Sequence, residues 1–80
     1  MRRRAIEYQE QRLRALLRRL RVDAGLRQVD LAKRLRLPQS FVSKYESGER
    51  RLDLVELRLV CSALGVALVD FVRTLEADLQ

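Results

Sequence analysis

Apolar residues recur at helical intervals along most of this chain. Leu13, Leu16, Leu17 and Leu20 show the i, i+3, i+4, i+7 spacing of one buried helical face. No segment alternates apolar and polar residues as a half-buried strand does. The three glycines and the single proline lie between the periodic segments, where such residues end or start helices. The sequence therefore predicts an all-α fold, a compact domain of about five helices.

The glycines and the proline also predict where each helix begins and ends. The predicted helices span about residues 5–24, 28–36, 38–46, 53–64 and 68–79. Gly25, Gly48 and Gly65 follow the first, third and fourth helices. Pro38 opens the third, because the N–H that proline lacks would have no intrahelical partner at the first helical position.

Positive charge is concentrated in the first half of the chain. The net charge of the 80 residues is +6. Residues 1–36 hold 12 basic and 4 acidic side chains, whereas residues 37–80 hold 5 basic and 7 acidic ones. Such a distribution favours a polyanionic partner: nucleic acid, anionic lipid or an acidic protein.

Composition argues against secretion, membrane spanning and catalysis. No run of about 18 apolar residues is present, and no apolar signal core follows the first arginines. The single cysteine, Cys61, cannot form an internal disulfide, which fits a reducing cytoplasm. The sequence has no histidine, no glycine-rich phosphate loop and no metal-ligand cluster, so we expect no enzyme activity, no cofactor and no metal.

The second and third predicted helices have the pattern of a helix-turn-helix. Apolar residues on both can pack the two helices at a steep angle: Leu31, Ala32, Leu35, Val42 and Tyr45. That packing leaves Gln39, Ser40, Ser43 and Lys44 outward. Glutamine, serine and lysine are side chains that can hydrogen-bond base edges in a major groove. Phe41 is open to two interpretations, partial packing against the core or contact with a thymine methyl.

Four stretches of the sequence carry a family resemblance. They are residues 20–26, 28–32, 42–51 and 63–66, with Gln28-Val29-Asp30-Leu31-Ala32 and Tyr45-Glu46-Ser47-Gly48 as the most informative. From Leu16 to Phe71 the chain resembles the Cro/repressor-type helix-turn-helix family, also called XRE. The resemblance implies a lambda-repressor-like fold that binds double-stranded DNA and regulates transcription.

The resemblance also implies roles for individual residues. It implies base contacts from Gln39, Ser40 and Lys44. It implies contacts to the DNA backbone from Arg27, Gln28, Ser43, Arg50 and Arg51, with Gln28 anchoring a phosphate at a helix N-terminus. It further implies a buried ion pair, Arg21 with Glu46, that fixes the angle of the reading helix.

The sequence departs from the family pattern at several helix ends. Arg27 and Pro38 replace the usual caps before the second and third helices, Ala67 replaces the cap before the fifth, and Arg36 replaces a small residue or glycine. A lost cap costs about 1 kcal/mol of stability. The conformation of the turn at residues 36–38 therefore stays open.

The sequence predicts one working unit with two flanks. We assign residues 13–72 to the DNA-binding domain, residues 1–12 to an extension of the first helix that can fray, and residues 73–80 to a helix end that offers a dimer contact. Val69, Val72, Leu75 and Leu79 make the fifth helix apolar enough for a homodimer, with the long first helix as a second candidate surface. The Arg2–Arg4 end is a solvated tail, a phosphate-tracking arm or a contact for a partner.

The expected function is sequence-specific regulation of transcription in the cytoplasm. We expect a homodimer on a palindromic operator and repression rather than activation. Two alternatives remain: an antitoxin of the same fold that also binds a partner protein, or a protein-interaction or RNA-binding module. Binding to a membrane surface is disfavoured, because the arginines of the first helix are not confined to one face.

Overall fold

Five helices form the structure, a computed structural model that describes residues 2–80. They are α1 (Arg2–Asp23), α2 (Gln28–Leu35), α3 (Gln39–Ser47), α4 (Leu54–Ala63) and α5 (Leu68–Leu79). The all-α fold predicted from the periodicity is confirmed. Helix α1 packs on α3 and α5, α2 packs on α3 and α4, and α4 packs on α5.

The predicted helix ends need small corrections. Helix α1 begins at Arg2 rather than near residue 5, and it ends at Asp23. Helix α3 begins at Gln39 and ends at Ser47, so the predicted span of 38–46 was one residue early. Pro38 is the N-cap rather than the first helical residue, since its ψ of 151° is extended while its carbonyl already accepts from the backbone N–H of Phe41.

The core lies where the helices meet. Ten apolar side chains are buried: Leu16, Leu17, Leu31, Ala32, Val42, Tyr45, Val60, Cys61, Leu64 and Phe71. Each of the five helices supplies at least one of these side chains, and Leu64 follows directly after the end of α4. Cys61 is fully buried, and burial raises the pKa of its thiol. The buried thiol is therefore a small apolar packing group.

The turn between α2 and α3 is held by backbone hydrogen bonds. Arg36 adopts the left-handed conformation, with φ of 58° and ψ of 40°. The N–H of Leu37 donates to the carbonyl of Ala32 at 3.0 Å, and the N–H of Arg36 donates to that of Lys33 at 3.1 Å. These bonds close the end of α2 in the manner of a Schellman motif. The conformation that the sequence left open is thus a left-handed turn at an arginine.

Candidate nucleic-acid interface

Helix α3 presents three free polar side chains on its outer face. Gln39, Ser40 and Lys44 are all exposed. Among residues 2–80, their side chains form no hydrogen bond and no ion pair with the rest of the protein. Their donors and acceptors are therefore available to a ligand, and they occupy one continuous strip at the start and middle of the helix.

The opposite face of α3 is fixed in the core. Val42 is 0% and Tyr45 is 1% exposed. The ring of Phe41 lies at the edge of this core, half-buried, with its centroid 5.8 Å from that of Tyr45 in an edge-to-face arrangement. Of the two interpretations of Phe41, the structure shows the packed one. A helix so held on one side presents its other side as a rigid surface.

A buried ion pair joins α1 to the end of α3. Arg21 Nε lies 2.7 Å from Glu46 Oε2, and Arg21 Nη2 lies 3.0 Å from Glu46 Oε1. The third donor, Arg21 Nη1, reaches the carbonyl of Leu26 at 2.8 Å. Both side chains are less than a tenth exposed. The hydrogen bonds to Glu46 raise the pKa of Arg21. The pair that the resemblance implies is present, and it ties α1, the α1–α2 turn and α3 together.

Gln28 completes this network. At the first position of α2, its amide Nε2 donates to Glu46 Oε1 at 3.0 Å. An amide nitrogen carries two hydrogens, so one remains for an outside acceptor. The first backbone N–H groups of α2 also lack intrahelical partners. Gln28 can therefore serve both as a link to Glu46 and as the anion contact that the resemblance implies.

Arg27, the N-cap of α2, is held by hydrogen bonds to Asp30. The Arg27 backbone N–H donates to Asp30 Oδ2 at 2.9 Å, and its guanidinium makes two further bonds of 3.0 Å to the same carboxylate. These side-chain and backbone bonds lower the pKa of Asp30 to about 2. Asp30, at the third helical position, thus supplies one of the two bonds of a capping box, the one that accepts from the N-cap N–H. The guanidinium itself remains mostly exposed.

The loop after Gly48 holds its two arginines in different ways. The Arg50 guanidinium donates two hydrogen bonds to the carboxylate of Glu56, which also accepts from the backbone N–H of Asp53 at the start of α4. This pairing lowers the pKa of Glu56. Arg50 Cζ lies 4.6 Å from the centroid of the Phe41 ring. Arg51 Nε lies 3.1 Å from Glu10 Oε1 on α1 and remains mostly exposed. Arg50 therefore links α3 to α4, and Arg51 links the loop to α1.

The predicted site residues thus divide into two groups. Those expected at the bases are free, whereas four of those expected at the DNA backbone, Arg27, Gln28, Arg50 and Arg51, already hold partners in the protein. Ser43 belongs with the second group, because its Oγ donates to the carbonyl of Ser40 at 3.3 Å. Within this second group, Gln28, Arg50 and Arg51 join different elements of the fold to one another.

Two cations on the same unit were not assigned a role from the sequence. Lys33, near the end of α2, and Arg36, in the turn, are exposed and form no ion pair among the described residues. In the sequence, Arg36 is a departure from the usual small residue or glycine that adds positive charge at the expected DNA face. Its position two residues before the N-cap of α3 is the signal that places it beside the exposed strip.

Other kinds of site are not formed by the part of the chain that the structure describes. Over residues 2–80, no group of three or more acidic, cysteine or histidine side chains is placed to hold a metal ion. None of the five described helices combines the length and the apolar character needed to cross a bilayer.

The fold and this site together define a helix-turn-helix protein of five helices. The helix-turn-helix family profile matches residues 17–71. A solved XRE-family like protein from Pseudomonas syringae pv. tomato str. DC3000 is 43% identical, with 90% of this chain and 88% of that chain covered and a TM-score of 0.85. The chain belongs to the XRE family of helix-turn-helix proteins, as its sequence motifs indicated.

A second group of similar structures comes from one regulator. The wild-type restriction-modification controller protein C.Esp1396I is 25% identical, with 89% of this chain and 91% of that chain covered and a TM-score of 0.82. The same protein, solved as a tetramer on its natural 35 base-pair operator, is 25% identical and covers 90% of this chain and 95% of that chain with a TM-score of 0.83. A comparison with curated proteins found no match.

Proposed function

We propose that this protein binds double-stranded DNA in a sequence-specific manner and regulates transcription. Helix α3 enters the major groove, and Gln39, Ser40 and Lys44 contact base edges. The observation that carries this proposal is the contrast across α3: its inner face is locked by Val42, Tyr45 and Glu46, while these three polar side chains are exposed and unpartnered. A rigid row of free donors and acceptors is what direct readout requires.

The backbone contacts follow from the same placement. Gln28 and the first N–H groups of α2 bind one phosphate, and Arg27, Ser43 and the loop arginines Arg50 and Arg51 lie along the rest of the path. Because Arg50 is held by Glu56 and Phe41, we assign it chiefly to positioning α3 against α4. Arg36 and Lys33 add free positive charge beside the groove. Such charges raise affinity for any duplex and make binding weaken with salt.

Operator binding by a similar protein supports this proposal. The structure of C.Esp1396I with its operator shows that a chain with a similar fold assembles on DNA as a tetramer. We propose that the present chain binds as a homodimer to a palindromic operator, with half-sites about 34 Å apart. Occupation of an operator that overlaps a promoter blocks polymerase, so we propose repression in the cytoplasm as the mode of action.

The dimer surface that we propose combines α5 with α4. Val69 and Val72 on α5 are 62% and 41% exposed, and Leu54, Val55 and Leu59 on α4 are between 55% and 68% exposed. Leu75, which the sequence offered as a dimer residue, packs against the core. The exposed apolar side chains of two adjacent helices form a patch suited to a second copy. Residues 73–80 then lie at its margin.

Selection from a random pool of duplex DNA tests the proposed function. We expect the purified protein to enrich one motif, arranged as two inverted half-sites, at physiological salt. The expected salt dependence is steep for both the enriched motif and random duplex. Retention of all sequences equally would overturn sequence-specific regulation and would leave the protein as a non-specific binder.

A further inference from the structure

The first turn of α1 lies beside the loop that follows α3. Arg2 and Arg3 line one groove with Ile6 and Arg51. Arg4 lines a second groove with Arg14, Gly48 and Arg51. The ion pair between Arg51 and Glu10 fixes the loop against this part of the helix. We call these five side chains the N-terminal arginine surface: Arg2, Arg3, Arg4, Arg14 and Arg51.

Arg14 brings this surface up to the end of α3. A methyl group built on Gly48 would lie 2.9 Å from Cζ of Arg14, so the guanidinium rests directly on the glycine that closes α3. The surface therefore begins at the C-terminal end of the proposed reading helix. From there it extends along α1 by about 18 Å, since twelve residues at 1.5 Å each separate Arg14 from Arg2.

The charges of this surface are poorly compensated within the protein. Glu7 and Glu10 are the acidic side chains that line the two grooves, and Glu10 is already paired with Arg51. Among the described residues, Arg2, Arg3 and Arg4 form no ion pair. They also occupy the first turn of α1, which has no acidic residue and is the positive end of the helix dipole. Cations there oppose helix formation unless an anion lies near.

We propose that the N-terminal arginine surface binds the phosphate backbone of duplex DNA outside the base pairs that α3 reads. The inference rests on the proposed function and extends it, because four of the five arginines, all except Arg51, lie before the matched helix-turn-helix at 17–71. Duplex DNA supplies a continuous row of phosphates that an elongated surface leading away from α3 can follow. Arg2–Arg4 thereby lengthen the binding site without adding to its base preference.

The test compares two double variants with the same loss of charge. R3Q/R4Q removes one arginine from each groove, and R18Q/R19Q removes two exposed arginines of the same helix that line neither groove. Affinity is measured over a series of salt concentrations on a long duplex and on one trimmed to the half-sites. A random long duplex is measured in parallel.

On both long duplexes, R3Q/R4Q is expected to lower the magnitude of the slope of log K against log salt by about 2 for each bound protomer, and so by about 4 for the proposed homodimer, because each lost phosphate contact removes about 0.9. R18Q/R19Q should retain the wild-type slope, and all three proteins should bind the trimmed duplex alike with an unchanged motif. An unchanged slope for R3Q/R4Q, or an equal fall for R18Q/R19Q, would overturn the proposal.

Two further outcomes separate this inference from others. Absence of a preferred motif in the wild type would remove the proposed function, while the slopes on random duplex would still measure the arginine contacts. Sedimentation with phosphatidylserine vesicles is the remaining arm. If R3Q/R4Q lost vesicle binding and kept its DNA slopes, the surface would belong to an anionic membrane instead.

Discussion

Arg36 adopts a left-handed backbone conformation, which is strained for a residue other than glycine. Of the non-glycine residues described, it alone has a positive φ, at 58°. A left-handed conformation costs an L-residue with a β-carbon roughly 1 kcal/mol relative to glycine. The arginine keeps a free positive charge in the turn that leads into α3, so stability is lost at a point where the proposed function gains charge.

Replacing Arg36 by glycine is expected to stabilise the fold by about 1 kcal/mol, because the strain at φ of 58° disappears. Arg36→Ala is the matched control, since it removes the charge and keeps the strain. Chemical denaturation of the two variants and the wild type measures the free energy of unfolding. If the glycine variant were no more stable than the alanine variant, the backbone account of this turn would be wrong.

Glu46 receives hydrogen bonds from both Arg21 and Gln28 in a nearly closed site. Glu46→Ala is expected to lower the free energy of unfolding by about 3–5 kcal/mol, because the Arg21 guanidinium stays buried without a counter-charge. The neighbouring Glu49 is exposed, and Glu49→Ala should change stability by no more than about 0.5 kcal/mol. Similar losses in the two variants would show that the Arg21–Glu46 pair does not hold α3 in place.

At the scale of elements, the start of α2 depends on an acid rather than a hydroxyl. The pKa of Asp30 falls to about 2 through its bonds with Arg27. A carboxyl whose folded pKa is below its unfolded value stabilises the fold above the unfolded pKa and loses that contribution as pH falls through the folded one. The stabilisation from Asp30 is therefore complete above about pH 4 and is lost toward pH 2.

Asp30→Asn tests this capping interaction. The wild type should be more stable than the variant at neutral pH, and the difference should shrink as pH falls from 4 toward 2, because Asp30 is then protonated in both folded and unfolded states. Thermal unfolding followed by circular dichroism across that pH range gives the comparison. A difference that does not change with pH would mean that Asp30 acts through packing and not through its charge.

The order and number of helices follow from local signals that any reader of the sequence can use. The period of Leu13, Leu16, Leu17 and Leu20 places α1, and α5 runs over Leu68–Leu79 as its apolar spacing predicts. Helix ends are harder, because a cap residue such as Pro38 or Asp53 is half inside the helix and differs from the first turn only in ψ. The Asp30 cap has a local signal in the sequence, an acid three residues after Arg27, which was not used to predict the start of α2.

The partners of the arginines were not predictable in the same way. Arg12 with Asp78, Arg51 with Glu10 and Arg34 with the carbonyl of Ala63 join residues far apart in the chain. The packing of the helices decides which carboxylates and carbonyls come within reach of each long, flexible arginine side chain. The identity of the outward row on α3 was readable from the sequence, because the buried positions of Val42 and Tyr45 fix which residues face away.

At the scale of the molecule, the proposed dimer surface and the proposed DNA-reading surface lie on different helices. Five exposed apolar side chains lie on α4 and α5, namely Leu54, Val55, Leu59, Val69 and Val72, whereas the free polar row is on α3. A second copy that covers Leu59 and Val69 leaves α3 of each protomer accessible. Two reading helices held at a fixed separation can then contact inverted half-sites together, which links the dimer to the symmetry of the operator.

Leu59→Glu and Val69→Glu are each expected to shift the protein from dimer to monomer, because a carboxylate in an apolar interface has to be buried without a partner. Val22→Glu is the control, since Val22 is a similarly exposed apolar residue, 55% exposed, on α1. Sedimentation velocity gives the oligomeric state, and circular dichroism verifies that each variant stays folded. A monomeric wild type at high concentration, with and without DNA, would contradict the proposed dimer.

The most direct test of the account compares the DNA motifs selected by the wild type, Lys44→Ala and Lys33→Ala. Both lysines are exposed, but only Lys44 lies on the outer row of α3. We predict that Lys44→Ala changes the preferred base at one position of each half-site, while Lys33→Ala weakens binding to all sequences and keeps the motif. An unchanged motif and a uniform loss of affinity for Lys44→Ala would contradict base reading by this residue and weaken the case that the outer face of α3 reads bases.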